Sequence, residues 1–404
     1  MGADHLNPDL KALDAFVALI GETRWRQRVA EITRKSGHAP RAAKALLQRH
    51  VSELAIEGLR RRLNREPTAA ERRVAALAAD AARLAEALRP RGRERLLELL
   101  TASTRDQATL IPLLHLLRTA ALQRARGFSV QFAGLEDDAH FDLLITRGGA
   151  EAEVACDVIS AEEGRGVHRG AWFRLADRID PDLQTWLSAH PGRYLLKMTL
   201  PQGLRGTLHE QDGEGACLAR LHEQIRGMLA DRQRSAQDPA VVLRLDPLLL
   251  AAAQADELGL LSSLRREFGP EAHLSVTAGG DGVFVMAARA GREDEIATAI
   301  KRRMAQIAPA RLSGARPGIL AMFVEDTDRG EWRHLRDRLD LEGEARQFLT
   351  LPEARPVVAV SYTSRAELFG VSVEAAEEAD LRFRNPSHPA ARTPALAPAV
   401  LSST

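Results

Sequence analysis

The chain predicts an α+β or α/β protein in which a helical region precedes a long alternation of strands and helices. Two observations carry this. Through about residue 100 the apolar residues recur at three- and four-residue spacing, the period of helices packed on one face. From about residue 105 the spacing shifts to short runs of period two, bounded by glycine and proline turns and interleaved with further helical stretches. At 404 residues and 45% hydrophobic content, the chain is long enough for a large core and two or three domains.

LKALDAFVALIG, AAKALLQRHVSELAIEGLRRRL and TAAERRVAALAADAARLAEAL are the helical segments of residues 1–100. Thr68 and Glu71 have capping-box spacing, and Pro67 and Pro90 punctuate the connections. DQATLIPLLHLLRTAALQRAR continues as an amphipathic helix. His115 within it reads as a structural residue. GFSVQFAG is a strand, LEDDAH a turn, HFDLLITR a second strand and EAEVACDVIS a third. Gly148-Gly149 predicts a tight hairpin between the last two. A long helix runs from about Val167 to Pro191, and RYLLKMTL is a fourth strand. With the helix expected at 215–235, these elements make up a domain spanning 105–235. Residues 236–384 alternate again: strand AVVLRLD, a helix at 247–268, hairpin HLSVTAGGDGVFVMAARA, a helix at 291–306, strand GILAMFVED, a helix at 331–348 and strand PVVAVSYT. The final stretch, 385–404, is rich in Pro, Ala and Ser and reads as a disordered tail.

Net charge is +1, so no global basic signature for nucleic acid exists. The distribution is uneven. Residues 1–100 carry more Arg and Lys than Asp and Glu, with RRR at 60–62 and RPRGRER at 89–95, whereas residues 136–163 are acidic. Basic helices beside an acidic pocket suit an enzyme acting on phosphodiesters; solvated helix faces explain them equally. Cys156 and Cys217 are the only cysteines, too few for a disulfide framework or a zinc site. MGADHLNPDL lacks a cationic run followed by an apolar one, and no apolar stretch reaches the ~18 residues of a membrane span. The expectation is a cytoplasmic protein without a membrane partner.

The chemistry-bearing segment is FDLLITRGGAEAEVACD. On its second strand Ala152, Val154, Cys156 and Val158 share one face, and Glu151, Glu153, Ala155 and Asp157 the other. Asp142 opens the paired strand. Carboxylates this close repel and raise one another's pKa unless a cation, solvent or an arginine intervenes. Mg²⁺ held by one or two carboxylates and substrate phosphate is one solution.

This order of helix, three strands, helix and strand, with its acids, resembles the PD-(D/E)xK, or restriction-endonuclease-like, nuclease superfamily over about residues 105–200. The resemblance implies an αβββαβ core, an Asp at the start of the second strand and an acid-x-Lys triplet on the third. Asp142 matches the first acid and Glu153 the second, with Asp157 a further metal ligand. The resemblance implies Mg²⁺ bound by these acids. Residue 155 is alanine where the family has lysine. Lys197, in the middle of RYLLKMTL, is the candidate replacement, since the superfamily includes members whose lysine comes from a neighbouring element. Arg165, His168 and Arg169, just after the acidic strand, are candidates to grip a phosphate.

Two functions follow. One is a Mg²⁺-dependent nuclease with Asp142, Glu153 and Lys197 as its catalytic residues. The other is a nuclease-fold protein that has lost catalysis and binds nucleic acid or protein.

Overall fold

The computed structural model describes residues 10–36, 40–61, 65–206, 214–248, 263–265, 268–269, 271–365 and 380–403. The protein is mixed α/β with two mixed sheets. It divides into two compact units: residues 1–34, 49–161 and 297–404 form the first, residues 35–48 and 162–296 the second.

The chain opens with helices α1 (Leu10–Ile20), α2 (Glu22–Lys35), α3 (Pro40–Arg49), α4 (Val51–Arg60), α5 (Ala69–Ala87), α6 (Pro90–Ser103) and α7 (Ile111–Ala125). Leu13, Phe16, Val17 and Ile20 bury one stripe of α1, at the spacing the sequence predicts. Buried alanines of α5, including Ala78, Ala81 and Ala85, leave room for α1 and α4 to pack closely on it. The Thr68–Glu71 capping box forms as expected, with Thr68 N–H donating to Glu71 at 2.7 Å. One helix departs from the expected bundle. Residues 35–48 belong to the second unit, where Asp177 accepts from the N–H groups of Arg41 (3.0 Å) and Ala42 (2.8 Å) at the start of α3.

Among the described residues the α-helices and strands that follow are, in order, β1 (Ser129–Gln131), α8 (Ala133–Glu136), β2 (Leu143–Arg147), β3 (Ala150–Ser160), α9 (Arg169–Ala189), β4 (Arg193–Leu200), α10 (Glu214–Ala230), β5 (Ser235–Gln237), β6 (Val242–Pro247), β7 (His273–Gly279), β8 (Gly282–Ala290), α11 (Ile296–Arg311), β9 (Gly318–Glu325), α12 (Arg329–Asp337), α13 (Asp340–Phe348), β10 (Val357–Ser364), β11 (Leu381–Arg384) and α14 (Ala397–Val400). The single helix expected at 331–348 is two, α12 and α13, broken at Leu339 with φ +60°. The helix expected at 247–268 lies largely outside the described residues.

In the first unit the sheet order is β1-β2-β3-β9-β10-β11. The predicted hairpin joins β2 to β3, with Arg147 opposite Ala150 and both Gly148 and Gly149 at positive φ. β3 runs parallel to β9, pairing Glu153 with Gly318 and Asp157 with Met322. β9 runs parallel to β10 and is buried throughout. The even face of β3, with Ala152 and Val154, joins the core that includes Leu113, Leu114 and Leu117 of α7.

In the second unit the order is β5-β6-β4-β8-β7. Trp172, Leu175, Ile179 and Leu183 of α9 and Leu221 and Ile225 of α10 pack with Leu196, Met198, Phe284 and Met286 of β4 and β8.

Three expectations need correction. RYLLKMTL is not the neighbour of the acidic strand: β4 hydrogen-bonds to β6 and β8 in the other sheet, and β9 takes that place. The division between units at 161–162 therefore cuts through the expected 105–235 domain. The expected disordered tail is ordered through residue 403, and Leu396, Ala399 and Val400 are buried. Pro389, Pro394 and Pro398 occupy first-turn positions of short helical turns, where a missing N–H costs nothing.

Candidate functional site

The acids of the β2–β3 hairpin share a neighbourhood, and each is met by an arginine. Asp142 is fixed just ahead of β2 because its N–H donates to Val154 O (3.0 Å). Its Oδ2 accepts from Cys156 N–H (2.7 Å) and from Arg311 Nη2 (2.7 Å). Burial raises its pKa, and the charge of Asp157 adds to this; Arg311 and the Cys156 N–H oppose it. Asp157 accepts both Arg303 Nε (2.6 Å) and Arg303 Nη2 (3.0 Å), a two-bond fork. Arg303 lies in α11, and Arg311 is its last residue, where the helix dipole favours a cation.

Glu153 is fully buried. Its carboxylate accepts from Ser313 N–H (2.8 Å) and Ser313 Oγ, and Arg316 Nη1 lies at 3.6 Å. Its own N–H donates to Pro317 O (2.9 Å). Glu153 thus fastens the loop between α11 and β9. Arg316 Nε also binds Glu151 at 2.7 Å. The acid beside Asp142 is therefore Asp157, whereas Glu153 is committed to the loop.

These residues do not fit a Mg²⁺ cage. Asp142 Oδ2, both oxygens of Asp157 and both oxygens of Glu153 are taken up by guanidinium, hydroxyl and backbone N–H groups. Among the described residues no group of three or more His, Cys, Asp or Glu comes together as a cation-binding set.

Lys197 lies in the second sheet. Its ammonium pairs with Asp246 (3.2 Å) and sits 5.5 Å from the centre of the Phe268 ring. Arg165, His168 and Arg169 do come together, also in the second unit, but around a carboxylate of the chain itself. Glu162 pairs with Arg165, accepts from Arg169 N–H (3.0 Å) and lies 4.0 Å from His168 Nδ1. It sits at the N-terminus of α9, where an anion is favoured.

His115 is buried, as its place on an apolar stripe implies. Its Nε2 donates to Ala321 O (2.9 Å), and its ring centre is 5.6 Å from that of Phe323. Burial lowers its pKa from 6.5 to about 4. Because the folded value lies below the unfolded one, the unfolded chain takes up the proton first. The stability gained from neutral His115 is complete above the unfolded pKa of 6.5 and is lost as pH falls toward 4. The loss is up to about 3 kcal/mol. Urea unfolding of the protein and of a His115→Gln variant at neutral and acid pH measures it. The variant is expected to lose less stability on acidification; an unchanged pH dependence would refute the assignment.

Sequence reading missed a second polar network, at the carboxyl ends of β3, β9 and β10. Asp326 accepts from Ser160 Oγ (2.7 Å) and Arg49 Nη1 (3.3 Å). Glu325 accepts from Arg365 Nη2 (2.7 Å) and Thr109 Oγ1 (3.3 Å), and Arg365 also donates to Arg49 O. The only signal was the acidic pair closing GILAMFVED, and nothing local told it from a surface turn.

Comparison of the chain with protein-family models, with curated proteins and with solved structures found no match in any of the three. Among the described residues, no helix is long and apolar enough to cross a membrane.

Proposed function

We propose that the chain is a nuclease-like fold that has lost phosphodiester hydrolysis and binds nucleic acid. The observation that carries this is the closure of Asp142, Asp157, Glu151 and Glu153 by Arg311, Arg303 and Arg316. A metal-dependent hydrolase needs such carboxylates open to a cation and its water. The order α7, β1, β2, β3, α11, β9, with only the single-turn helix α8 between β1 and β2 and with β3 parallel to β9, supports the nuclease-like ancestry. In this reading residues 162–296 are an insertion, α11 and β9 supply the helix and strand first expected at α9 and β4, and Mg²⁺ has no role. The excess of arginine in residues 1–100 supports a nucleic-acid partner, with Arg89, Arg91 and Arg93 exposed at the start of α6.

Fluorescence anisotropy with DNA and RNA at low and moderate salt tests binding, and gel assays with Mg²⁺ or Mn²⁺ test cleavage. Binding is expected to weaken steeply with salt and in a variant with Arg89, Arg91 and Arg93 changed to Gln, without cleavage. Metal-dependent cleavage abolished by Asp142→Asn would restore the active nuclease. Absence of binding at low salt would remove nucleic acid as the partner.

A further inference from the structure

Two carboxylates that approach each other inside a fold need positive charge beside them. Asp142 and Asp157 are such a pair: the Asp142 carboxylate accepts from the N–H of Cys156, the residue before Asp157, and the Asp157 charge pushes the Asp142 pKa upward, on top of burial. In a metal site the charge comes from a divalent cation. Here it comes from the chain. Arg303 meets Asp157 through two N–H groups, and Arg311 meets Asp142 through one while its Nε donates to His140 O (2.6 Å).

The charges match. Two carboxylates, when ionised, carry two negative charges, and two guanidiniums supply two positive ones, as a divalent cation would. The guanidiniums are also fixed in a way that a metal is not. Both hang from one helix, and arginine keeps its proton throughout the physiological range. The hydrogen bond to His140 O holds Arg311 from a second direction. Ala155, buried between Glu153 and Asp157 on the strand, has only a methyl where a longer side chain would crowd this face.

We infer that Arg303 and Arg311 are built-in counter-ions that take the electrostatic place of a divalent cation between Asp142 and Asp157, so that the native protein closes this face to metal. The inference rests on the lapsed-nuclease reading for the origin of the acid pair, but its test involves no nucleic acid. A failure of nucleic-acid binding therefore leaves it standing, and its own failure leaves that binding untouched.

The test is a Mn²⁺ titration of the full chain, followed by electron paramagnetic resonance of the free ion. The unaltered protein is expected to show no stoichiometric site that depends on Asp142. The Arg303→Gln/Arg311→Gln variant is expected to acquire one site, at least about tenfold tighter than anything in the unaltered protein. Adding Asp142→Asn or Asp157→Asn should remove it. Arg303→Gln alone, which leaves the Asp142–Arg311 pair intact, serves if the double variant does not fold. A stoichiometric Mn²⁺ site in the unaltered protein that Asp142→Asn abolishes would overturn the inference. So would a folded arginine variant that still binds no Mn²⁺.

Discussion

Replacing Asp380 by alanine is expected to destabilise the protein by about 3–5 kcal/mol, the cost of leaving buried charges without their partner. Asp380 sits just ahead of β11 with its side chain 2% exposed. It accepts from Arg126 Nη2 at 2.8 Å, and Arg382 Nε lies 3.7 Å away. The Arg126 side chain is only 5% exposed. Burial lowers the Arg126 pKa to about 10, with Arg382 and Arg118 adding repulsion and Asp380 the main counterweight. The Nε atoms of Arg126 and Arg382 are buried and have no hydrogen-bond acceptor among the described residues. Removing this carboxylate leaves two guanidiniums that repel one another in a poorly solvated place. Urea unfolding measures the loss. Arg126→Met in the Asp380→Ala background should recover part of it, because an apolar chain of similar length carries no charge to desolvate. A loss below about 1 kcal/mol, the range of an exposed ion pair, would show that solvent reaches the cluster.

Glu153→Ala is the second large effect, expected to cost about 2–4 kcal/mol from a buried, charge-assisted set of hydrogen bonds. The substitution leaves Ser313 N–H without its acceptor and releases the loop that turns α11 into β9. Glu153→Gln keeps one carbonyl oxygen and should cost less. The sign separates two roles for this residue. A metal ligand in a metal-free acidic cluster suffers repulsion, so its removal stabilises the metal-free protein. A residue that clips a loop through N–H and guanidinium donors destabilises when removed. Thermal unfolding without metal reads that sign directly, and a rise in midpoint for Glu153→Ala would return Glu153 to the metal-ligand role.

Much of the local structure was legible. The capping box at Thr68, the hairpin turn at Gly148-Gly149 and the apolar even face of β3 depend on residues within a few positions of one another. The choice of strand partner was not. RYLLKMTL and GILAMFVED both offer apolar residues to a sheet, and neither records which sheet. β4 is held in the second unit by α9, β6 and β8, whose shared core outweighs its nearness in sequence to β3. The phosphate-binding reading of Arg165, His168 and Arg169 was half legible. Their spacing brings them to one helix start, but Glu162, a few residues earlier, already supplies the anion.

The sequence by itself determined many of the helices and strands, where the hairpin turns, and that the acids from Asp142 to Asp157 require a positive partner. Those conclusions follow from backbone sterics, side-chain period and like-charge repulsion, all of which act over a few residues. Only the tertiary structure decided what that partner is. Arg303, Arg311 and Arg316 stand 146, 169 and 165 positions beyond the acids they meet and reach them because β9 pairs with β3 and lays α11 on the acidic face. A carboxylate accepts a metal or a guanidinium with equal chemical sense, and the choice rests on which cation the fold brings within reach.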